Sequence, residues 1–224
     1  MEKLNPIIKK FNKIYYFLFK ERFSKKINFE FDNVFRWDLI EHLDNKYKFS
    51  DYLEVGCNDD ELFSKIKIKN KIGIDPVVGG NMKITSDDFF KQNKNKYDCV
   101  FIDGLHIYDQ VKRDIVNSSK CLKENGFILV HDCLPRSLSA QAVPRHRYNW
   151  NGDVWKAIVD LRRDPDLEIF TCLADEGIAV IQNKKNSNTL KIDKNISDLK
   201  FRDFYYNHKE YMRPISFSEF KDKY

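Results

Sequence analysis

The chain has 224 residues, 42% of them hydrophobic and 14% aromatic, enough for one core with appendages. Lys and Arg outnumber Asp and Glu by 39 to 34, but the basic residues are scattered singly among asparagines instead of gathering with aromatics, which argues against a nucleic-acid partner. Cys57, Cys99, Cys121, Cys133 and Cys172 are odd in number and widely spaced, so they read as reduced thiols of a cytoplasmic protein; no apolar run reaches the ~20 residues of a membrane span, and the N-terminus lacks the apolar core of a signal peptide.

The stretch NPIIKKFNKIYYFLFKERF places Ile7, Ile8, Phe11, Ile14, Tyr15, Leu18 and Phe19 on one helical face and its lysines largely on the other. Such a basic amphipathic helix is expected to pack on its own domain or on a second subunit of a homo-oligomer, with peripheral contact to an anionic membrane as the alternative. A second helix, about 33 to 45, carries Val34, Phe35, Trp37, Leu39, Ile40 and Leu43, and residues 1–48 form an N-terminal helical extension. From residue 51 short apolar runs alternate with helical stretches: YLEV (52–55), KIGI (71–74), MKIT (82–85), DCVFI (98–102) and FILV (127–130). That alternation predicts an α/β domain over 49–183, with a doubly wound, mostly parallel sheet of seven strands covered on both faces. The last two strands, EIFTCL (168–173) and IAVIQN (178–183), are separated by ADEG, whose Gly177 supplies the positive φ of a hairpin turn, so an antiparallel hairpin should close one edge. The tail, 184–224, begins polar and then gains Phe201, Phe204, Tyr205, Tyr206, Tyr211 and Phe217, which predicts packing on the domain or on a partner subunit.

Ligands of open α/β sheets bind beyond the carboxyl ends of the strands. The acids cluster there: Glu54 with Gly56 after it, Asp75, Asp87 and Asp88, Asp103, and His131 with Asp132. Asp75 follows Gly56 by 19 residues, the spacing at which a carboxylate meets the ribose hydroxyls of an adenosine-containing ligand. The intervening loop, Gly56-Cys57-Asn58-Asp59-Asp60-Glu61, lacks two of the three glycines that a dinucleotide needs and sets three acids where a pyrophosphate would sit. S-adenosylmethionine, with its ammonium and sulfonium, fits these acids. The residues expected to hold it are Glu54, Gly56, Asn58, Asp75, Asp87, Asp88 and Asp103; one of Asp87 and Asp88 is expected to cap a short helix instead.

Five ordered segments, SDDFF (86–90), VFIDGLHIYDQVKRDI (100–115), LVHDCLP (129–135), WNGDVWKAI (150–158) and DEGIAVI (175–181), with YLEVG (52–56) as a looser match, carry a resemblance. The stretch 86–181 resembles the class I S-adenosylmethionine-dependent methyltransferases of bacterial glycan and natural-product clusters, including macrolide sugar O-methyltransferases. The resemblance implies a Rossmann-like methyltransferase fold and O-methylation of a sugar or other small hydroxylated acceptor, in glycan or surface polysaccharide biosynthesis. In that family the Asp of an Asp-Gly-x-His stretch binds magnesium, the His is the general base, and an acidic pair after the fifth strand completes the metal site. Carried over, Asp103 and Asp132 are metal ligands and His106 the base. His131 stands where the pair has a carboxylate, and an imidazole there shifts preference from Mg²⁺ toward Mn²⁺ or Zn²⁺. The first loop departs from the family in lacking a second glycine, and the chain ends have no counterpart.

Methyl transfer to a hydroxyl requires the acceptor oxygen to lose its proton, so a base or a metal must act. His106, at the start of the helix after Asp103, would be kept neutral by the helix N-terminus; the bland alternative is a capping residue. Asp109 and Asp114 read as solvated charges, and Asp153 as the N-cap of a helix that buries Trp155, Ile158 and Leu161. The long connection 133–152 offers Arg136, Arg145, Tyr148 and Trp150 to grip and stack a sugar or nucleotide-linked sugar. Two other readings stay open: a metal-dependent hydrolase or lyase built on Asp103, His106, His131 and Asp132, and a non-catalytic nucleotide-binding scaffold.

Overall fold

The computed structural model describes residues 5–224, so the first four residues of the N-terminal extension lie outside the described residues. Two helices come first, α1 (Pro6–Phe19) and α2 (Arg36–Tyr47). The alternating region follows as β1 (Asp51–Val55), α3 (Glu61–Lys65), β2 (Asn70–Ile74), α4 (Ser86–Gln92), β3 (Tyr97–Ile102), α5 (Tyr108–Lys120) and β4 (Leu122–Val130). Then come α6 (Leu138–Gln141), α7 (Val154–Leu161), β5 (Leu167–Cys172), β6 (Ile178–Asn183), α8 (Phe201–Met212), β7 (Pro214–Ile215) and α9 (Phe217–Lys223).

The seven strands form one sheet in the order β2-β1-β3-β4-β6-β5-β7. From β2 to β4 they run parallel, whereas β6 is antiparallel to both β4 and β5. Alternation along the strands builds two cores. Leu53, Val55, Val100, Ile102, Ile128 and Val130 meet Val111 and Ile115 of α5, Trp155 and Ile158 of α7 and Phe204 of α8 on one face. Tyr52, Cys99, Phe101, Phe127 and Leu129 meet Leu39 and Leu43 of α2 and Phe220 of α9 on the other. With both faces covered, neither side of a strand needs polar residues, and this is why the runs read as continuously apolar.

The expected strand MKIT (82–85) does not form. Only an isolated bridge, Ile74 to Met82, marks the place. The seven residues 75–81 turn back through Gly79 and Gly80, both at positive φ, and are too few for the crossover of a dozen or more residues that a parallel neighbour requires. The seventh strand comes instead from the tail, where Thr171 pairs with Pro214 and Cys172 with Ile215. The hairpin turns at Gly177 as expected (φ +89°), but it lies inside the sheet, with β7 beyond it at the edge.

Packing does not respect the boundaries read at 48 and 183. Leu39, Ile40 and Leu43 before the first strand, and Phe201, Phe204, Met212 and Phe220 in the tail, are completely buried. The tail packs on the domain, and among the described residues α1 stands outside, with Tyr16 its one buried side chain.

Candidate active site

From β1 the chain goes outward to β2 and returns to β3 on the other side of β1, so a crevice opens at the carboxyl ends of β1 and β3. Gly56, at φ +88°, ends β1 so close to β3 that a Cβ would lie 2.4 Å from the Asp103 carbonyl oxygen. A cavity of about 610 Å³ fills the crevice. Gly56, Asn58, Asp75, Asp87 and Asp103 line it, five of the seven residues expected to hold the cofactor. Asp75 is fixed by backbone amides: Oδ1 accepts from Val77 and Val78 (2.8 and 2.9 Å), Oδ2 from Asn58 (3.1 Å).

Glu54 and Asp88 are not among the lining residues. Glu54 shares a strand face with Tyr52, whose hydroxyl donates to its Oε2 at 2.7 Å, and burial pushes its pKa up to about 7 against that hydrogen bond. Asp88 is exposed, pairs with Lys91 at 2.8 Å and accepts from the Thr85 hydroxyl, while Thr85 caps α4. Of the two neighbouring acids, Asp87 therefore faces the cavity.

Deeper in, Asp103 joins the cavity to a buried cluster. Its Oδ1 lies 3.1 Å from His106 Nε2 and 3.2 Å from His131 Nδ1, and its Oδ2 accepts from Arg36 Nη1 at 2.9 Å. His106 Nδ1 is 3.0 Å from the Trp150 carbonyl and 3.1 Å from Asp132 Oδ2, and the Trp150 ring stacks on the imidazole, centroids 5.4 Å apart. Asn151 Nδ2 donates to Asp132 Oδ1 at 2.8 Å. Arg36 Nε also reaches Asp175 Oδ2 at 2.6 Å.

Burial and the neighbouring charges pull these groups in opposite directions. Burial alone would raise Asp103, but His131 and His106 outweigh it and hold the carboxyl far below its ordinary range. Burial would likewise favour a neutral His106; Asp132 and Asp103 prevail, and its pKa is raised. His131 is raised well above the ordinary value against burial, chiefly by Asp103 and Asp132. The helix N-terminus expected to favour the neutral ring is not what His106 faces: α5 begins only at Tyr108, and the ring turns toward two carboxylates, which favour its charged form. His106 does not cap α5 either, since the Tyr108 amide donates to Asp153 Oδ1 at 2.8 Å. Asp153 is structural, but it caps α5 and makes no side-chain cap on its own helix.

Asp103, His131 and Asp132 bring ligand atoms within 4.8 Å of one another, the one such group found among the described residues. Two carboxylates and an imidazole suit a divalent cation. His131 Nε2 is buried without a hydrogen bond, 3.6 Å from Asp175 Oδ1.

The acceptor residues expected from the 133–152 connection do not gather at the cavity. Arg136 lies over the Phe31 ring, 4.7 Å away. Arg145 donates to the carbonyls of Arg147 and Tyr148, so its guanidinium holds the loop together. Tyr148 is exposed, and Trp150 backs His106 with its Nε1 bonded to the Ala142 carbonyl.

Three participants escaped the sequence reading. Arg36 reaches the cluster from α2, outside the alternating region. Gln110 and Asp114, one turn apart on α5, line the cavity; Gln110 Nε2 donates to Asp114 Oδ1 (3.0 Å) and Ser86 Oγ (3.1 Å). Asp114 is buried, not solvated, and burial pushes its pKa up to about 6. The pattern held a clue, since Asp114 and Ser118 fall on the same stripe as Val111 and Ile115, and a carboxylate on a core-facing stripe marks a site.

A family profile described as a methyltransferase domain matches residues 70–133, which run from β2 through β4 and the three residues after it and include Asp75, Asp87, Asp103, His106, His131 and Asp132. No curated protein matches. Among solved structures, the chain is similar to a candidate caffeoyl-CoA O-methyltransferase from Staphylococcus aureus, at 15% identity and a TM-score of 0.51, over 78% of this chain and 90% of that one. It is also similar to a candidate O-methyltransferase from Klebsiella pneumoniae, at 10% identity and a TM-score of 0.50, over 82% of this chain and 92% of that one. The fold is the Rossmann-like methyltransferase fold, a mostly parallel seven-stranded sheet with an antiparallel hairpin.

Proposed function

We propose that the chain is an S-adenosylmethionine-dependent O-methyltransferase acting on a small hydroxylated acceptor, a sugar or nucleotide-linked sugar of glycan or surface polysaccharide biosynthesis. The observation that carries this reading is the junction at Asp103. Its backbone closes on Gly56 at the cavity wall, while its carboxylate belongs to the His106–His131–Asp132 cluster, so donor pocket and proton acceptors meet at one residue. The donor supplies an electrophilic methyl carbon on a cationic sulfonium.

On this reading Asp75 accepts the ribose hydroxyls, for which the backbone amides hold its carboxylate in place. Asp87, Gln110 and Asp114 form a polar end to the cavity suited to the adenine edge. His106, as the neutral tautomer whose Nδ1 proton is donated to the Trp150 carbonyl, takes the acceptor proton at Nε2, the nitrogen facing Asp103, while the acceptor oxygen takes the methyl group and the sulfonium leaves as a neutral thioether. Asp103, His131 and Asp132 would hold a divalent cation, which supplies positive charge to acidify a hydroxyl; Arg36 already places a fixed positive charge on Asp103.

Calorimetry with S-adenosylmethionine tests the reading, and Asp75→Ala should weaken binding by about 1.5–3 kcal/mol, the worth of hydrogen bonds to a charged group. A folded protein that binds no donor would turn the assignment to a metal-dependent hydrolase or lyase. Binding without methyl transfer to any of a panel of free and nucleotide-linked sugars would leave the sugar acceptor without support.

A further inference from the structure

The first helix is turned outward. Its contacts with the body run through Asn12, whose Nδ2 donates to the Arg145 carbonyl at 2.8 Å, and through Tyr16, whose hydroxyl accepts from Gln141 Nε2 at 2.7 Å. On the opposite side Ile7, Phe11, Ile14 and Leu18 follow one another at helical spacing, 79%, 67%, 50% and 54% exposed. The face expected to pack on the domain or on a second subunit is thus left uncovered by the domain, and patches of this kind mark interaction surfaces.

The charges around that face decide what covers it. Lys9, Lys10, Lys13 and Lys20 occupy the rest of the helix surface, all exposed, and residues 6–20 contain no acid. Beyond its C-terminal end lies a cleft of about 460 Å³ lined by Phe17, Arg22, Lys25 and Arg202. These cations rest on aromatic faces: Arg22 lies 4.4 Å from the Phe17 ring, Lys25 5.6 Å from Tyr205 and Arg202 5.5 Å from Phe23. Glu21, the carboxylate of the cleft, is committed to the backbone amides of Phe201 and Arg202 at 2.8 and 2.9 Å. A second copy docked through the same face by a two-fold axis would bring no counter-charge from its own α1, since the stretch holds no acid, and would leave these lysines unpaired. An anionic lipid surface complements both features, taking the apolar stripe at the acyl boundary and the cations at its headgroups.

We infer that α1 and the cationic cleft beside it dock the protein on an anionic lipid surface. The inference stands independently of the methyltransferase reading. Co-sedimentation of the full chain with vesicles tests it. Binding is expected to mixed phosphatidylcholine–phosphatidylglycerol vesicles, not to pure phosphatidylcholine, and is expected to fall with salt. The double variants Phe11→Ser/Ile14→Ser and Lys9→Glu/Lys13→Glu should each bind at least about tenfold more weakly. Their unfolding temperatures should match the parent, because all four side chains are exposed. Absent binding, equal binding to both vesicle types, or affinity untouched by either variant would overturn the inference. So would a dimer in light scattering that Phe11→Ser/Ile14→Ser dissociates, since a second copy would then cover the face.

Discussion

His106 is held at both nitrogens and on one ring face, by Asp103, Asp132, the Trp150 carbonyl and the Trp150 ring. A capping residue would need none of these, and Asp153 already occupies the cap of α5. If His106 accepts the acceptor proton, His106→Ala should lower kcat by ~10²–10⁴ while leaving donor affinity in calorimetry unchanged. A mutant with full turnover would move deprotonation to His131. Glu54 offers a separate test at the same scale. Its folded pKa of about 7 lies above the ordinary 4.5, so the folded state holds the proton more tightly than the unfolded one. The buried charge therefore costs nothing below about 4.5 and its full amount above about 7, and stability falls as pH rises between them. Glu54→Gln, which keeps an acceptor for the Tyr52 hydroxyl, should stabilise by roughly 3 kcal/mol at pH 8 and by little near pH 4. Urea unfolding at both pH values checks this, and an equal gain at each would show that charge is not the cause.

At the scale of elements, what could be read from sequence was whatever one strand or turn encodes by itself. β1, β3, β5, β6 and the second half of β4 were legible because they are buried on both faces, the edge strand β2 because its last residues are, and the hairpin because Gly177 sits where the turn needs positive φ. The tips of β3 and β4 delivered Asp103, His106, His131 and Asp132 for the same reason. MKIT was misread because an apolar run says nothing about whether its connection can cross over, and β7 was invisible because two residues have no period. Glu54 was misplaced because strand alternation gives it the face of Tyr52. Arg36 could not be found, since its partner Asp103 is 67 residues distant. Gly56 is where two elements touch most closely. Gly56→Ala would place a Cβ 2.4 Å from the Asp103 carbonyl, in a backbone conformation that alone costs about 1–3 kcal/mol. Urea unfolding should show at least that loss, and calorimetry a weaker donor affinity; an unchanged value in both would mean that the strand tips yield freely.

At the scale of the molecule, the question is whether the tail belongs to the cooperative unit. Phe204 of α8 packs 4.8 Å from the Trp155 ring on one face of the sheet, and Phe220 of α9 packs 5.6 Å from Tyr224 on the other, both completely buried. Each fills a different core, and β7 between them adds a strand to the sheet edge. Phe204→Ala and Phe220→Ala should therefore each cost about 3–5 kcal/mol, a large share of the 5–15 kcal/mol that holds a typical domain together. The two sites lie on opposite faces of the sheet, so their costs should add, and the double variant should be close to unfolded. Calorimetric melting should show one transition, lowered by on the order of 10 °C in each single variant. Phe11→Ala, on the outward face of α1, should leave that transition within about 0.5 kcal/mol of the parent. A second, low-temperature transition that alone responds to Phe204→Ala and Phe220→Ala would instead make the tail a separate unit docked on a domain that ends near residue 183.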